Sequence, residues 1–344
     1  MDKKSIWVYR LFMDIYSEKD PVGVFINEMG ARHKQIEGRY LRFKALFGER
    51  GGFRLCTGNS SASQGHAVTW YAEIHGGLLF AVIYGDNADS DEAAADEWRR
   101  RCVSWFERVP SAWGVAGALF QFRTKSTSRI IAEAGRVPDS VTVDEPEGSY
   151  LLTHRRGMNP GLFLDARNAR SFVARYAAGK KILNLFSYTC GFSVAALKGG
   201  ASQVVNIDMK RQFLEWGRDN HSLNGLDMRK ARFEKLDIMK SFGRLERFGP
   251  YGMIICDPPT FQGKSFSRIK DFPRLIRRCL PMVAPGGLLV VLINDLSAPD
   301  DYVWDLIRRT DLPEAAAFYP FASIAPCIDF GPDGARGTVF ERRG

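Results

Sequence analysis

Short apolar runs recur through the second half of the chain, separated by segments of helical length. Ile182–Phe186, Gln203–Ile207, Ala231–Leu236, Met253–Cys256 and Leu288–Ile293 read as strands; Val194–Leu197 and Gln212–Leu223 fall in helices between them. Strands that are apolar throughout and alternate with helices belong to a parallel sheet covered on both faces. The expected class is α/β, with a doubly wound, mostly parallel sheet.

The first half has a different rhythm. Ala67–Ile74 and Leu78–Tyr84 read as strands joined by a tight hairpin at His75-Gly76-Gly77. A helix is expected over Asp89–Arg108, followed by strands at Gly117–Arg123, Ser140–Asp144 and Ser149–His154. Turn formers from Cys56 to Gly65 predict a loop. Upstream, Ile36, Tyr40, Phe43 and Phe47 recur at helical spacing within Asn27–Phe47, beside Arg32, His33, Lys34, Arg39, Arg42 and Lys44. Such a basic helix either docks a polyanion or presents an ordinary solvated face. The expected division is a helical extension over 1–60, a small α+β domain over 61–155 and the large α/β domain over 156–344.

Composition adds limits. Of 344 residues, 45% are hydrophobic and 25% charged, as in ordinary soluble domains. No segment approaches the roughly 20 apolar residues of a membrane span, and Met1-Asp2-Lys3-Lys4 precedes an apolar run too short for a signal peptide. A cytoplasmic protein without a membrane partner is expected. Six cysteines stand far apart with no CxxC pair, so buried reduced thiols are expected and no metal site. The net charge of +9 is uneven: residues 1–150 carry −1 and residues 151–344 carry +10. A basic half favours a polyanionic substrate such as RNA.

In an open parallel sheet, ligands bind beyond the carboxyl ends of the strands, so the residues standing there carry the chemistry. After the first strand comes Phe186-Ser187-Tyr188-Thr189-Cys190-Gly191, a polar turn lacking the extra glycines of a dinucleotide-binding loop. It suits S-adenosylmethionine, which has a nucleoside and a sulfonium but no phosphate. Asp208, with Met209 beside it, can accept from both ribose hydroxyls after the second strand. Asp237 can accept from the adenine amino group, with Ile238 under the ring. Asp257-Pro258-Pro259-Thr260-Phe261 follows the next strand; its prolines lack backbone donors and hold fixed turns.

The run Asn184-Leu-Phe-Ser-Tyr-Thr-Cys-Gly-Phe192, then Asp208, then Asp257-Pro-Pro-Thr-Phe261, resembles bacterial large-subunit ribosomal RNA methyltransferases of the RlmI/RlmK type, as does Gly161-Leu-Phe-Leu-Asp-Ala-Arg167 upstream. The resemblance implies a Rossmann-like methyltransferase domain, with Arg167 and the Phe186–Gly191 turn facing the methionine moiety and Asp208 and Asp237 holding the nucleoside. Arg167 could instead pin its segment through a salt bridge.

Two chemistries occur among such relatives. Cytosine carbon-5 methylation needs a cysteine nucleophile, which the family places just after the last central strand; here that segment is Leu292-Ile-Asn-Asp-Leu-Ser297. Asn294-Asp295, and Thr260 where the other branch carries lysine, are closer to the guanine nitrogen-7 branch. Direct transfer to a ring nitrogen is therefore expected, with Asp257, Thr260 and Asn294 catalytic and Pro258, Pro259 and Phe261 against the base. A methyltransferase for a small molecule or protein, or a binding protein without catalysis, would show the same cofactor residues.

Overall fold

The computed structural model describes residues 21–61, 67–84, 92–108, 115–124, 127–156, 158–259, 261–262, 265–293, 298–331 and 334–344. It divides into two compact units, Met1–Asp144 with Leu152–Pro160, and Glu145–Leu151 with Gly161–Gly344.

In the first unit, helices α1 (Pro21–Ala31) and α2 (His33–Phe47) precede a five-stranded sheet. Its strands, β1 (Gly52–Ser61), β2 (Ala67–His75), β3 (Leu78–Tyr84), β4 (Gly117–Arg123) and β5 (Ser128–Gly135), lie in sequence order. Helix α3 (Glu92–Glu107) crosses between β3 and β4, the one parallel pair. Phe25, Ile36, Tyr40 and Phe43 share a core with Phe53, Trp98, Trp105 and Phe120. The helices before residue 60 are thus built into this unit and do not form a separate extension. The loop expected from Cys56 is strand as far as Ser61, because Thr57–Ser61 pair with Ala67–Tyr71 of β2; backbone pairing outweighs the turn-forming side chains. Strand β5 was not among the strands read from the sequence, and its pairing with β4 makes it. The basic segment is partly spoken for: Arg32, just before α2, and Arg39 within it donate to the carbonyls of Thr57 (2.9 Å) and Leu55 (2.8 Å).

The chain passes between units in the hairpin of β6 (Val141–Glu145) and β7 (Gly148–Leu152). The second unit then runs α4 (Arg167–Tyr176), β8 (Lys181–Leu185), α5 (Gly191–Lys198), β9 (Gln203–Asp208), α6 (Arg211–Leu223) and β10 (Ala231–Lys235). It continues through α7 (Phe242–Phe248), β11 (Tyr251–Cys256), the short strands β12 (Phe261–Gln262) and β13 (Phe266–Ser267), α8 (Arg268–Cys279) and β14 (Val283–Ile293). Helix α9 (Tyr302–Arg308) and strands β15 (Phe318–Ile324) and β16 (Arg336–Arg342) complete it. The sheet order is β10-β9-β8-β11-β14-β16-β15, parallel from β10 to β14 and antiparallel at β16 and β15. Each central strand feeds two cores. Leu183, Leu185, Val205, Ile207 and Ile254 point to one, and Ile182, Val204, Met253 and Ile255 to the other. This is the doubly wound sheet read from the sequence.

Candidate active site

Strand order reverses between β8 and β11, since β9 and β10 lie to one side of β8 while β11 and β14 lie to the other. At such a switch point the loops diverge and leave a crevice at the carboxyl edge. Register lines up its contents. Leu185 pairs with Ile207 on one side and Cys256 on the other, so Phe186, Asp208 and Asp257 occupy one row just past the paired residues. Adjacent strands are about 4.8 Å apart, which puts Asp208 and Asp257 on the two sides of the β8 loop. Asp237 follows β10, whose Lys235 pairs with Asp208. The three carboxylates therefore share one edge.

The β8 loop has an unusual backbone. Phe186 (φ 54°), Tyr188 (φ 48°) and Cys190 (φ 62°) all adopt left-handed conformations, whereas Gly191 does not. Non-glycine residues in this region cost of order 1–2 kcal/mol each, so the surroundings must hold the loop. Asp208 does much of this. Its carboxylate, 4% exposed, accepts from the backbone N–H of Tyr188 (3.0 Å) and of Lys210 (2.9 Å). Burial raises its pKa, while those backbone donors and Lys210 oppose the rise. The Tyr188 ring packs on Phe163, Phe213 and Trp216, anchoring the loop. Thr189 donates to the Gly161 carbonyl (2.5 Å). Gly161 (φ +116°) has to be glycine, because a Cβ there would lie 2.2 Å from the Trp216 ring. Cys190 points inward against Gly217, where an added Cβ would meet its Sγ at 2.4 Å; helix α6 makes room for the thiol by lacking a side chain. Ser187 Oγ is buried, lacks a hydrogen bond of good geometry and lies beside that thiol.

Beneath the loop runs a buried polar chain. Asn184 donates to Asn206 (2.9 Å), Asn206 donates to Ser193 (3.1 Å), and Ser193 Oγ meets His221 Nε2 at 2.9 Å. It ties β8, β9, α5 and α6 together, and burial lowers the His221 pKa.

Asp237 caps the following turn, accepting from Met239 N–H (3.0 Å), and lies 3.5 Å from Lys240 Nζ. Ile238 is buried beside it and Met209 is partly buried after Asp208. Asp257 is partly buried, Pro258 buried and Pro259 partly buried. Burial first, and the neighbouring Asp165 carboxylate second, push the Asp257 carboxyl up to about 7, against the opposing charge of Arg170. Phe261 opens β12. Phe266 of β13 packs on Phe186 with ring centroids 5.1 Å apart, tying the segment after Asp257 to the β8 loop. Thr260 and Asn294 lie outside the described residues.

Arg167 is 6% exposed and ion-paired with Glu145 (3.5 Å) and Asp329 (3.1 Å), the salt-bridged arrangement left open by the sequence. Its neighbour Arg170 grips Glu145 through two 2.6 Å hydrogen bonds, donates to the Phe163 carbonyl (2.9 Å) and stacks over Tyr150. Arg170, Glu145, Asp329 and Asp165 were not singled out in the sequence. Asp165 and Arg170 had a faint signal, inside or just beyond the Gly161–Arg167 run; Glu145 and Asp329 had none. Among the described residues no cluster of three His, Cys, Asp or Glu could hold a metal, and no helix is long and apolar enough to cross a membrane.

Comparison with known proteins bears on the family and the fold. The sequence model of a family described as S-adenosylmethionine-dependent methyltransferase matches residues 75–318. Ribosomal RNA large subunit methyltransferase I of Aeromonas salmonicida (strain A449) is 30% identical over 247 residues, covering 70% of this chain and 60% of that protein. Ribosomal RNA large subunit methyltransferase K of Neisseria meningitidis serogroup B is 29% identical over 259 residues, covering 68% and 72%. The chain thus spans about 60% of the length of the Aeromonas relative. A methyltransferase crystal structure complexed with SAH superposes with a TM-score of 0.74 at 24% identity, over 94% of this chain and 82% of that one. At that identity the likeness is one of fold.

Proposed function

The chain belongs to the S-adenosylmethionine-dependent methyltransferase family, and from that premise we propose that it methylates a base of large-subunit ribosomal RNA by direct transfer to a ring nitrogen, of the guanine nitrogen-7 kind. The names of the relatives and the +10 charge of residues 151–344 support an RNA substrate.

The observation that carries the choice of atom is the state of the thiols. All six cysteines are buried. Burial pushes Cys279 up to about 12, and Cys256 and Cys190 well above the ordinary thiol value. Carbon-5 of cytosine becomes nucleophilic only after a thiolate adds to the ring, whereas a ring nitrogen already has its lone pair.

The crevice fits the cofactor. Asp208 and Asp237, at the ends of adjacent strands, suit the ribose hydroxyls and the adenine amino group, with Ile238 beneath the ring. The Ser187 hydroxyl and the left-handed turn suit the amino-acid end. When bound, S-adenosylmethionine supplies a methyl group made electrophilic by the sulfonium. The base nitrogen's lone pair forms the new N–C bond as the S–C electron pair returns to sulfur, so no proton has to leave. Asp257 sits opposite the β8 loop with a carboxyl poised near neutrality. Protonated, it can donate to a base carbonyl; ionised, it counters the positive charge a methylated ring acquires. Pro258 and Pro259 hold this turn rigid, and Phe261 is suited to stack on an extruded base.

The test is labelled methyl transfer into unmodified 23S ribosomal RNA, followed by nucleoside mass spectrometry. A 7-methylguanosine product is expected. A 5-methylcytidine product with a trapped protein–RNA adduct would overturn the choice of atom. Label appearing only in protein or small molecules would overturn the choice of RNA.

A further inference from the structure

We propose that the outer face of α8 is a phosphate-tracking surface that holds the RNA strand leading away from the methylated base. This rests on the RNA reading above and adds to it a specific surface. Helix α8 buries Phe272, Leu275, Ile276 and Cys279, and turns Lys270, Arg274, Arg277 and Arg278 to solvent. Lys270, Arg274 and Arg277 are spaced four and then three residues apart, so they form one stripe about 10 Å long. The single acid of the helix, Asp271, is turned to another task, accepting from the Ser267 backbone N–H at 2.8 Å to cap the helix start.

Several exposed cations elsewhere in this unit are neutralised. Arg232 and Arg244 share Glu234, Arg229 pairs with Asp227, and Arg308 and Arg309 with Asp305. At the rim of α8, Arg278 pairs with Glu246 at 2.7 Å. The stripe gathers three exposed cations, Lys270, Arg274 and Arg277, on one face of a single helix.

It is also unfavourable for the helix. Like charges at these spacings cost about 0.2–0.5 kcal/mol per pair, and Lys270 in the first turn opposes the helix dipole. An interior proline, Pro273, weakens the same element. Arg277, in the last turn, gains from the dipole, but the repulsion along the stripe is relieved by a polyanion, which also releases counterions. Position selects the partner. The helix follows Asp257-Pro-Pro and the β12–β13 ribbon, whose Phe266 packs on Phe186 of the β8 loop. Its stripe thus begins beside the crevice and runs away from it.

The experiment compares the wild-type chain with a Lys270→Ala, Arg274→Ala, Arg277→Ala variant in binding in vitro transcribed 23S ribosomal RNA from about 50 to 300 mM KCl. Each lost phosphate contact lowers the slope of log K against log salt by about 0.7–0.9, so the slope should flatten by about 2–3. Affinity for S-adenosylmethionine should stay as in wild type, and the melting temperature should hold or rise slightly as the like charges are removed, which shows that the variant is folded. Lys270→Arg with Arg274→Lys and Arg277→Lys should restore the slope. A steep wild-type slope left unchanged in the triple variant overturns the stripe and leaves the RNA reading standing. A wild-type slope near zero overturns both.

Discussion

Replacing Asp257 by asparagine should stabilise the second unit at neutral pH and, on the proposed function, impair methyl transfer. The carboxyl rises from an ordinary 3.8 to about 7, through burial and the nearby Asp165 charge. The folded state therefore holds a proton more tightly than the unfolded chain, and the group's contribution to stability is lost as pH rises from about 4 through 7. A tenfold difference in proton affinity between the two states is worth about 1.36 kcal/mol, so the ionised carboxylate costs the fold at most ~4 kcal/mol above neutrality. Partial exposure reduces that to roughly 2–4 kcal/mol. Asparagine is neutral at every pH and escapes the penalty. The assay is urea unfolding of wild type and Asp257→Asn between about pH 4 and 8, following the transition that moves with S-adenosylmethionine, since two units need not unfold together. The gap between the proteins should be near zero at acid pH, open between about pH 4 and 7 and level off above. A gap that is independent of pH, or of opposite sign at about pH 8, refutes the reasoning. Asp165→Asn should narrow it by removing the second cause of the raised pKa.

Asp208→Ala removes the acceptor for two backbone N–H groups as well as the proposed ribose partner, and should weaken S-adenosylmethionine binding at least about tenfold by calorimetry; unchanged affinity would remove Asp208 from its proposed role. Gly217→Ala drives a methyl into the Cys190 thiol at 2.4 Å and should cost about 1–3 kcal/mol. In a Cys190→Gly background the same change should be neutral or stabilising by up to about 1 kcal/mol, from helix propensity; equal costs in both backgrounds would show that the two side chains do not compete. In the first unit, His154 Nε2 lies 2.7 Å from His75 Nδ1, and His75 meets Glu73 at 2.9 Å. Burial, aided by His75, lowers His154 from 6.5 to about 2. The unfolded chain then binds a proton that the folded one refuses. Stability present above 6.5 should fall as the medium acidifies, by about 2 kcal/mol at pH 5. Glu73, lowered to about 2 as Arg54 and His75 outweigh burial, adds to the loss below 4.5. His154→Gln should flatten this unit's stability between pH 7 and 5, and an unchanged acid sensitivity would argue against buried neutral His154.

Much of the second unit was legible in the chain itself. Apolar runs such as Leu183–Leu185 and Val204–Ile207 need only local periodicity to be read, and Asp208, Asp237 and Asp257 stand one or two residues past such runs. Fold class and the acidic carboxyl edge follow from features contiguous in sequence. The rest depends on pairs distant along the chain. Thr57–Ser61 became strand only because Ala67–Tyr71 lie beside them, and β15 and β16 close the sheet through partners their own composition does not announce. Sheet order, which sets the switch point between β8 and β11, is a property of which strands pair. Arg167 and Arg170 look alike three residues apart; folding gave each its carboxylates, Glu145 from the β6 hairpin and Asp329 from near the C-terminal end. Likewise no local signal marks Asp165 as the charge that helps hold the Asp257 proton, or Gly217 as the space for Cys190. Hydrophobic period is written residue by residue, whereas proximity between charges, and between a side chain and the gap that takes it, exists only once the chain has closed on itself.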